Sequence, residues 1–177
     1  MKKDQSAPDG VLLRDAVLAD AAPLSDFAAR IFEETFGPGS RREDIDAYLS
    51  EAFSPLRQRE EICDPQSAVV LALRPNSVGN DIAGYAHIKI NQPDASAHLK
   101  RFYVDGAWQG SGLAQRLLDD VVNRSKSAGC RRLWLTVWDQ NHRAIAFYRK
   151  SRFIEAGVTH FQLGSDLQTD LLMEMPL

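Results

Sequence analysis

The sequence predicts an α/β protein built on a central mixed sheet of about seven strands, with about four helices packed on its two faces. Three observations lead there. Short apolar runs and amphipathic stretches follow one another in the order β-α-α-β-β-β-α-β-α-β-β. Residues 97–128 pass from a β-forming run through a small-residue loop into a helical stripe. The stretches 97–138 and 133–163 each read as a strand, a helix and a second strand, a connection that calls for parallel pairing.

Residues 1–10 are polar, with Pro8 and Gly10, and read as a loose tail ahead of one domain over 11–177. Val11 to Ala16 forms a first strand. Asp20 stands as an N-cap with Pro23 in the first turn, and Leu24, Phe27, Ala28, Ile31 and Phe32 make a core-facing stripe that Gly37-Pro38-Gly39 ends. A second helix starts near Ser40, carries Ile45, Tyr48, Leu49 and Phe53, and stops before Pro55. Residues 54–67, with two prolines, read as a connection holding at most a short helical turn. Ala68–Leu73 and Ile82–Ile90 are strands paired as a hairpin across the turn cluster 74–81. After the strand at 97–104, Leu113, Leu117, Leu118, Val121 and Val122 give the next helix, closed by Gly129. Leu133–Trp138 is a strand, Asn141–Lys150 a helix, and 153–163 and 168–175 are the last two strands.

Composition limits the class of function. The 177 residues are 44% hydrophobic and 25% charged, with a net charge of −3, a globular composition. No basic block offers the electrostatic footprint of a nucleic-acid binder. Residues 1–10 lack the apolar core of a secretory signal, and no apolar run is long enough to span a bilayer. A cytoplasmic protein without nucleic-acid or membrane partners is expected. Cys63 and Cys130 show no metal-ligand spacing and read as two thiols, and no metal site is visible.

The junction Gln109-Gly110-Ser111-Gly112-Leu113-Ala114 is where chemistry is expected. The first turn of a helix leaves amides without intrahelical acceptors at its partly positive end. Glycines at 110 and 112 let a bulky anion approach the backbone, so a pyrophosphate fits, although glycines serving turn geometry alone explain the pattern as well. Leu113-Ala114 stands where a P-loop needs Gly-Lys-Ser/Thr, and Gln115 where a dinucleotide fingerprint beginning at Gly110 needs its third glycine.

Two blocks, Gln109-x-x-Gly112-x-Ala114 and Asn141-x-x-Ala144-x-x-Phe147-Tyr148, resemble the two signature motifs of the GCN5-related N-acetyltransferase (GNAT) superfamily. Glu34-Thr35-Phe36, Ala47-Tyr48-Leu49 and Gln168-Thr169-Asp170 are similar to blocks of the PaiA-type spermidine/spermine N-acetyltransferases. The resemblance covers most of the chain. It implies a GNAT fold in which the strands at 97–104 and 133–138 splay apart, and an acetyl-CoA-dependent transfer of an acetyl group to a primary amine, for this type a small polyamine-like one. It also implies that the pantetheine arm lies along Phe102, Tyr103 and Val104. The diphosphate would meet the amides of Gln109, Gly110, Gly112 and Ala114, with Ser111 adding a hydroxyl and Leu113 following in the same turn. Asn141 would contact pantetheine or cap its helix, beside Ala144 and Phe147. Lys150 and Arg143 would reach the adenosine phosphates or lie on a solvated helix face. The family is often dimeric, so a homodimer is one expected assembly.

Acyl transfer sets the remaining roles. The resemblance implies that Tyr148 holds the position whose phenol protonates the leaving thiolate in many GNAT enzymes; the alternative is that it only packs beside Phe147. The Val104 amide is placed to donate to the oxyanion. His98 stands where many relatives carry a glutamate base, and a merely exposed histidine is the competing reading. His87, Tyr85, Glu33 and Glu34 are rival base candidates, and the two glutamates could bind a polyammonium substrate. Lys100 replaces an acidic residue of the PaiA-type pattern, and Arg152-Phe153 replaces Gly-Phe. The competing functions are a protein N-terminal or antibiotic acetyltransferase, and a CoA-binding regulatory domain without turnover.

Overall fold

A computed structural model describes residues 10–38, 40–74 and 81–177. Seven strands form one sheet: β1 (Leu12–Asp15), β2 (Ser67–Leu73), β3 (Ile82–Asn91), β4 (Ser96–Val104), β5 (Arg132–Trp138), β6 (Ile154–Leu163) and β7 (Asp166–Pro176). The helices are α1 (Ala21–Phe36), α2 (Arg42–Ala52), α3 (Pro55–Cys63), α4 (Leu113–Ser127) and α5 (His142–Lys150). The spatial order of strands is β1-β2-β3-β4-β5-β7-β6, antiparallel throughout except for the parallel pair β4–β5. The N-terminal tail and most of the 74–81 turn fall outside the described residues.

Each face of the sheet has its own core. Leu117, Leu118 and Val121 of α4 and Ile145 and Tyr148 of α5 pack on Leu99, Leu133, Leu135 and Val137. Burying an aliphatic side chain of this size is worth about 1.5–3 kcal/mol, so the stripe read from the sequence is what fixes α4. On the other face, Leu24, Phe27, Ile31 and Phe32 of α1 and Ile45 of α2 cover Val69, Leu71 and Tyr85.

Three expectations are corrected. Residues 55–63 form a full helix, because Pro55 occupies its first position and the Ser54 side chain accepts a hydrogen bond from the Arg57 amide at 3.2 Å. A proline there starts a helix instead of breaking one. Asp20 precedes α1 without capping its amides; its carboxylate accepts from Arg14 at 2.6 and 2.9 Å and from the Val17 amide at 2.7 Å. Finally, β6 runs parallel to β5 without touching it, since β7 lies between them and pairs antiparallel with both.

One irregularity in β4 positions the site. His87 pairs with Arg101 and Ile88 with Leu99, which leaves Lys100 as the extra residue of a bulge. Ahead of it, Ala97 and Leu99 face α4 and α5; beyond it that face belongs to Phe102 and Val104, while Tyr103 points to the α1–α3 side. A bulge bends its strand and changes the local twist.

Candidate active site

Strands β4 and β5 pair only at Ser96↔Arg132, Ala97↔Leu133 and His98↔Trp134. Beyond those pairs β5 stays with β7 along its whole length, while β4 follows β3. The two strands part, and a cleft opens through the sheet. Phe102, Val104, Asn141, Ala144 and Tyr148 line it from the α4–α5 side, and Phe36, Tyr48, Arg101, Tyr103, Trp138 and Asp170 from the other. The Asp105 amide donates to Ala83 of β3 at 2.9 Å. Because successive strand amides alternate in direction, the Val104 N–H faces the side from which β5 has withdrawn.

At the far end of β4 the chain turns into α4. The Asp105 carboxylate accepts from the Ala107 amide at 2.9 Å and caps a short 3-10 turn. Gly110 and Gly112 then adopt φ of +76° and +89°, a region that favours glycine, and a Cβ on either would meet only open space. Among the described residues the amides of Gly110, Gly112, Ala114 and Gln115 have no acceptor. They form an anion cradle at the positive end of α4. The expected set is corrected in part. Gln109 N–H donates to Gly106 at 3.2 Å, Leu113 N–H to Ser111 Oγ at 3.3 Å, and the Ser111 hydroxyl to Trp108 at 2.6 Å. Those three groups are used in shaping the loop.

Across the cleft Asn141 caps α5, its side chain accepting from the Ala144 amide at 3.2 Å. Tyr148 is buried among Phe102, Phe147 and Phe153, with ring centroids 5.4–6.3 Å away. Burial, with Tyr103 adding to it, raises its pKa, so the phenol keeps its proton. Arg152 holds the left-handed turn after α5 at φ +73°, an uncommon conformation for a residue with a side chain. Arg143 reaches over to the Gln109 side chain and ties α5 to the cradle. Lys150 is on the far side of α5, in a groove with Gln115, Lys126 and Arg152, away from the cleft.

The candidate bases and substrate residues lie elsewhere. His98 is at the paired end of β4–β5, stacked on Trp134 with ring centroids 3.7 Å apart, and burial followed by Lys100 holds its pKa down to about 4. It does not line the cleft, because the strands are still joined there. Tyr85 is fully buried against Phe27, its hydroxyl without a partner among the described residues. Glu33 is paired with Arg42 on the surface, and Glu34 with Arg30 at 2.8 Å in a shallower neighbouring groove.

His87 is 1% exposed, in contact with Ser67 at 3.2 Å and Glu61 at 3.5 Å. Burial, then Arg101, depresses its pKa to about 3. The unfolded chain therefore binds the extra proton first. Stability is fully present above pH 6.5 and falls towards pH 3, by up to roughly 1.4 kcal/mol per pH unit. Urea midpoints measured at pH 7, 6 and 5 should fall in that order, and more gently for His87→Gln. The same slope in the variant would show that His87 is not the group responsible.

Sequence reading assigned no role to the other wall. Phe36 stacks 4.4 Å from Phe32 and 5.5 Å from Trp138, and Tyr48 lies 5.4 Å from Phe161. Asp170, beside Trp138 in the β5–β7 register, is the only carboxylate among the described residues that line the cleft. The available signal was its place in the Gln168-Thr169-Asp170 block.

The model of the acetyltransferase (GNAT) family matches residues 28–153. The chain belongs to the GNAT family. An uncharacterised N-acetyltransferase of Mycobacterium tuberculosis is 31% identical over 88% of this chain and 97% of its own length. The IAA acetyltransferase of Azospirillum brasilense is 25% identical over 92% and 99%. Among solved structures, the PaiA N-acetyltransferase of Thermoplasma acidophilum in complex with coenzyme A superposes with a TM-score of 0.79 and 22% identity, covering 95% of this chain and 99% of that one. This GNAT protein is thus an acetyl-CoA-dependent N-acetyltransferase, and the cradle's unsatisfied amides and Cβ-free glycines suit a diphosphate. Among the described residues no helix is long and apolar enough to cross a membrane.

Proposed function

We propose that this GNAT enzyme acetylates the primary amine of a small, polyamine-like cation. The observation that carries the reading is the acceptor side of the cleft, walled by Phe36, Tyr48, Trp138 and Phe161 around the Asp170 carboxylate. Aromatic faces attract an ammonium group, and a neighbouring carboxylate fixes its position. The methylene segments of such a molecule gain from the same apolar walls.

The residues divide the work by face. Acetyl-CoA, when bound, supplies an activated acetyl group on a thioester. On the α4–α5 side the free amides at 110, 112, 114 and 115 would take its diphosphate, and the Val104 N–H would donate to the oxygen that gains charge during transfer. Tyr148, protonated and half-enclosed by Phe102 and Phe147, would deliver a proton to the departing sulfur. Asn141 and Arg143 would hold the mouth of α5 in register with the cradle.

The test is a panel of polyamines, peptides and aminoglycosides incubated with acetyl-CoA while free thiol is followed. Polyamines should show kcat/KM at least tenfold above the other classes. Preference for peptides or aminoglycosides would move the substrate class. Thermal stabilisation by acetyl-CoA with no thiol release from any amine would replace the enzymatic reading by a regulatory one.

A further inference from the structure

We infer that Asp170 is the residue that both anchors the acceptor's ammonium group and takes its proton before transfer. The inference rests on the acceptor class proposed above and adds a base that no other carboxylate or histidine among the described residues of the cleft offers, since His98 is stacked on Trp134 where the strands are still joined. Asp170 is held between two strands. Its strand position is opposite Trp138 on β5 and Thr159 on β6, and the Asp139 amide donates to Thr169 at 3.0 Å, fixing the turn after β5 against β7. Thr136, on the same face of β5 as Trp138, lines the cleft beside it.

The step is a proton transfer. One N–H bond of the ammonium breaks and its electron pair stays on nitrogen as the nucleophilic lone pair; an O–H bond forms on Asp170, which later gives the proton to solvent. For an ordinary carboxylate this is steeply uphill from an alkylammonium. Here the carboxylate covers part of that gap. Burial, opposed in part by the Thr136 hydroxyl and aided by the nearby Asp139 charge, raises the pKa of Asp170. The ion pair itself favours the charged forms of both partners, so the transfer is drawn forward by attack of the freed lone pair on the thioester carbon. The other titratable or charged groups of the cleft are Tyr48 from α2, Lys100, Arg101 and Tyr103 from β4, and Arg143 and Tyr148 from α5, with Asp139 in the turn after β5 acting on Asp170 through its charge. Arg101 is paired with Glu61, which limits its pull on Asp170.

The position also suits the role. Asp170 is on the α1–α3 side of the gap and Tyr148 on the other, so one proton leaves the nitrogen on one face of the sheet and a different one, from the phenol, reaches the sulfur from the opposite face. One base and one acid, separated by the plane of the strands, do not exchange protons with each other directly.

The experiment compares the wild-type enzyme with Asp170→Asn and Asp170→Glu, using spermidine as acceptor. Binding of spermidine to the CoA-saturated enzyme, followed by calorimetry, should weaken at least tenfold in Asp170→Asn and by less in Asp170→Glu. The plateau that follows the acidic limb of the wild-type kcat/KM profile should be lost in Asp170→Asn, whose residual rate should go on climbing about tenfold per pH unit with the free-amine fraction. CoA affinity should be the same in all three proteins, which also reports that Asp170→Asn is folded. An unchanged pH profile, or undiminished spermidine binding, in Asp170→Asn overturns the inference. A loss of CoA affinity equal to the loss for spermidine overturns it too, because Asp170 would then be structural. If the wild-type enzyme turns over no amine, the proposed reaction fails on its own, and the calorimetric comparison still decides whether Asp170 binds the cation.

Discussion

Tyr148→Phe should lower kcat by about 100-fold, roughly 2.7 kcal/mol of barrier, with KM for acetyl-CoA within a factor of two. The substitution removes a hydroxyl and keeps the ring, so the contacts with Phe102, Phe147 and Phe153 survive. Thermal stability should therefore hold, which separates the chemical effect from a packing effect. Burial makes the phenol a weaker acid than free tyrosine. The same dry surroundings make a departing thiolate a stronger base, so proton donation remains matched. Since the phenol stays protonated across the working range, no basic limb below about pH 10 should be assignable to it. A Tyr148→Phe enzyme with wild-type kcat would leave Tyr148 as a core residue only.

Arg101→Met should destabilise the protein by about 3–5 kcal/mol, the usual cost of leaving a buried charge without its partner. Arg101 pairs with Glu61, donates to the Ala52 carbonyl at 3.1 Å and lies 4.8 Å over the Phe53 ring. The Glu61 side chain is only 7% exposed. Without its closest cation, Glu61 would keep only the half-exposed Arg57 and the buried His87, each 3.5 Å away. For a chain of this size the melting point should drop by roughly 10 °C. The double variant Arg101→Met/Glu61→Leu should recover a good part of that, because two apolar side chains leave no orphaned charge. A drop below 1 kcal/mol in the single variant would mean that Glu61 finds another cation or water. The pair ties the α2–α3 junction to the floor of the cleft, so its loss should also weaken acceptor binding.

What could be read from the sequence was whatever is local. The seven strands, the stripe of α4, the glycine-rich turn ahead of it and the Asn141 cap each depend on residues within a turn or two of one another. Pro55 was misread because the same residue that breaks a helix interior suits its first position, and only Ser54 before it tells the two apart. The site's acceptor side was less legible for a topological reason. Tyr48, Arg101, Trp138 and Asp170 come from four separate elements, and no spacing rule connects them. The bulge at Lys100 adds to this, since one extra residue re-phases β4 and moves Arg101 to the face where simple alternation places Phe102. The place of His98 outside the cleft has a related reason: a position in a motif does not say where two strands stop pairing.

The strand order has a consequence for how the protein is made. A ribosome releases β6 before β7, yet β7 must slide in next to β5, so for a time β5 presents a bare edge and β6 has nothing to pair with. Asp170 arrives with that late strand. The α4–α5 side of the cleft is thus able to assemble on the emerging chain, whereas the wall that holds Asp170 waits for β7, and nascent protein caught in between carries an unguarded edge open to mispairing.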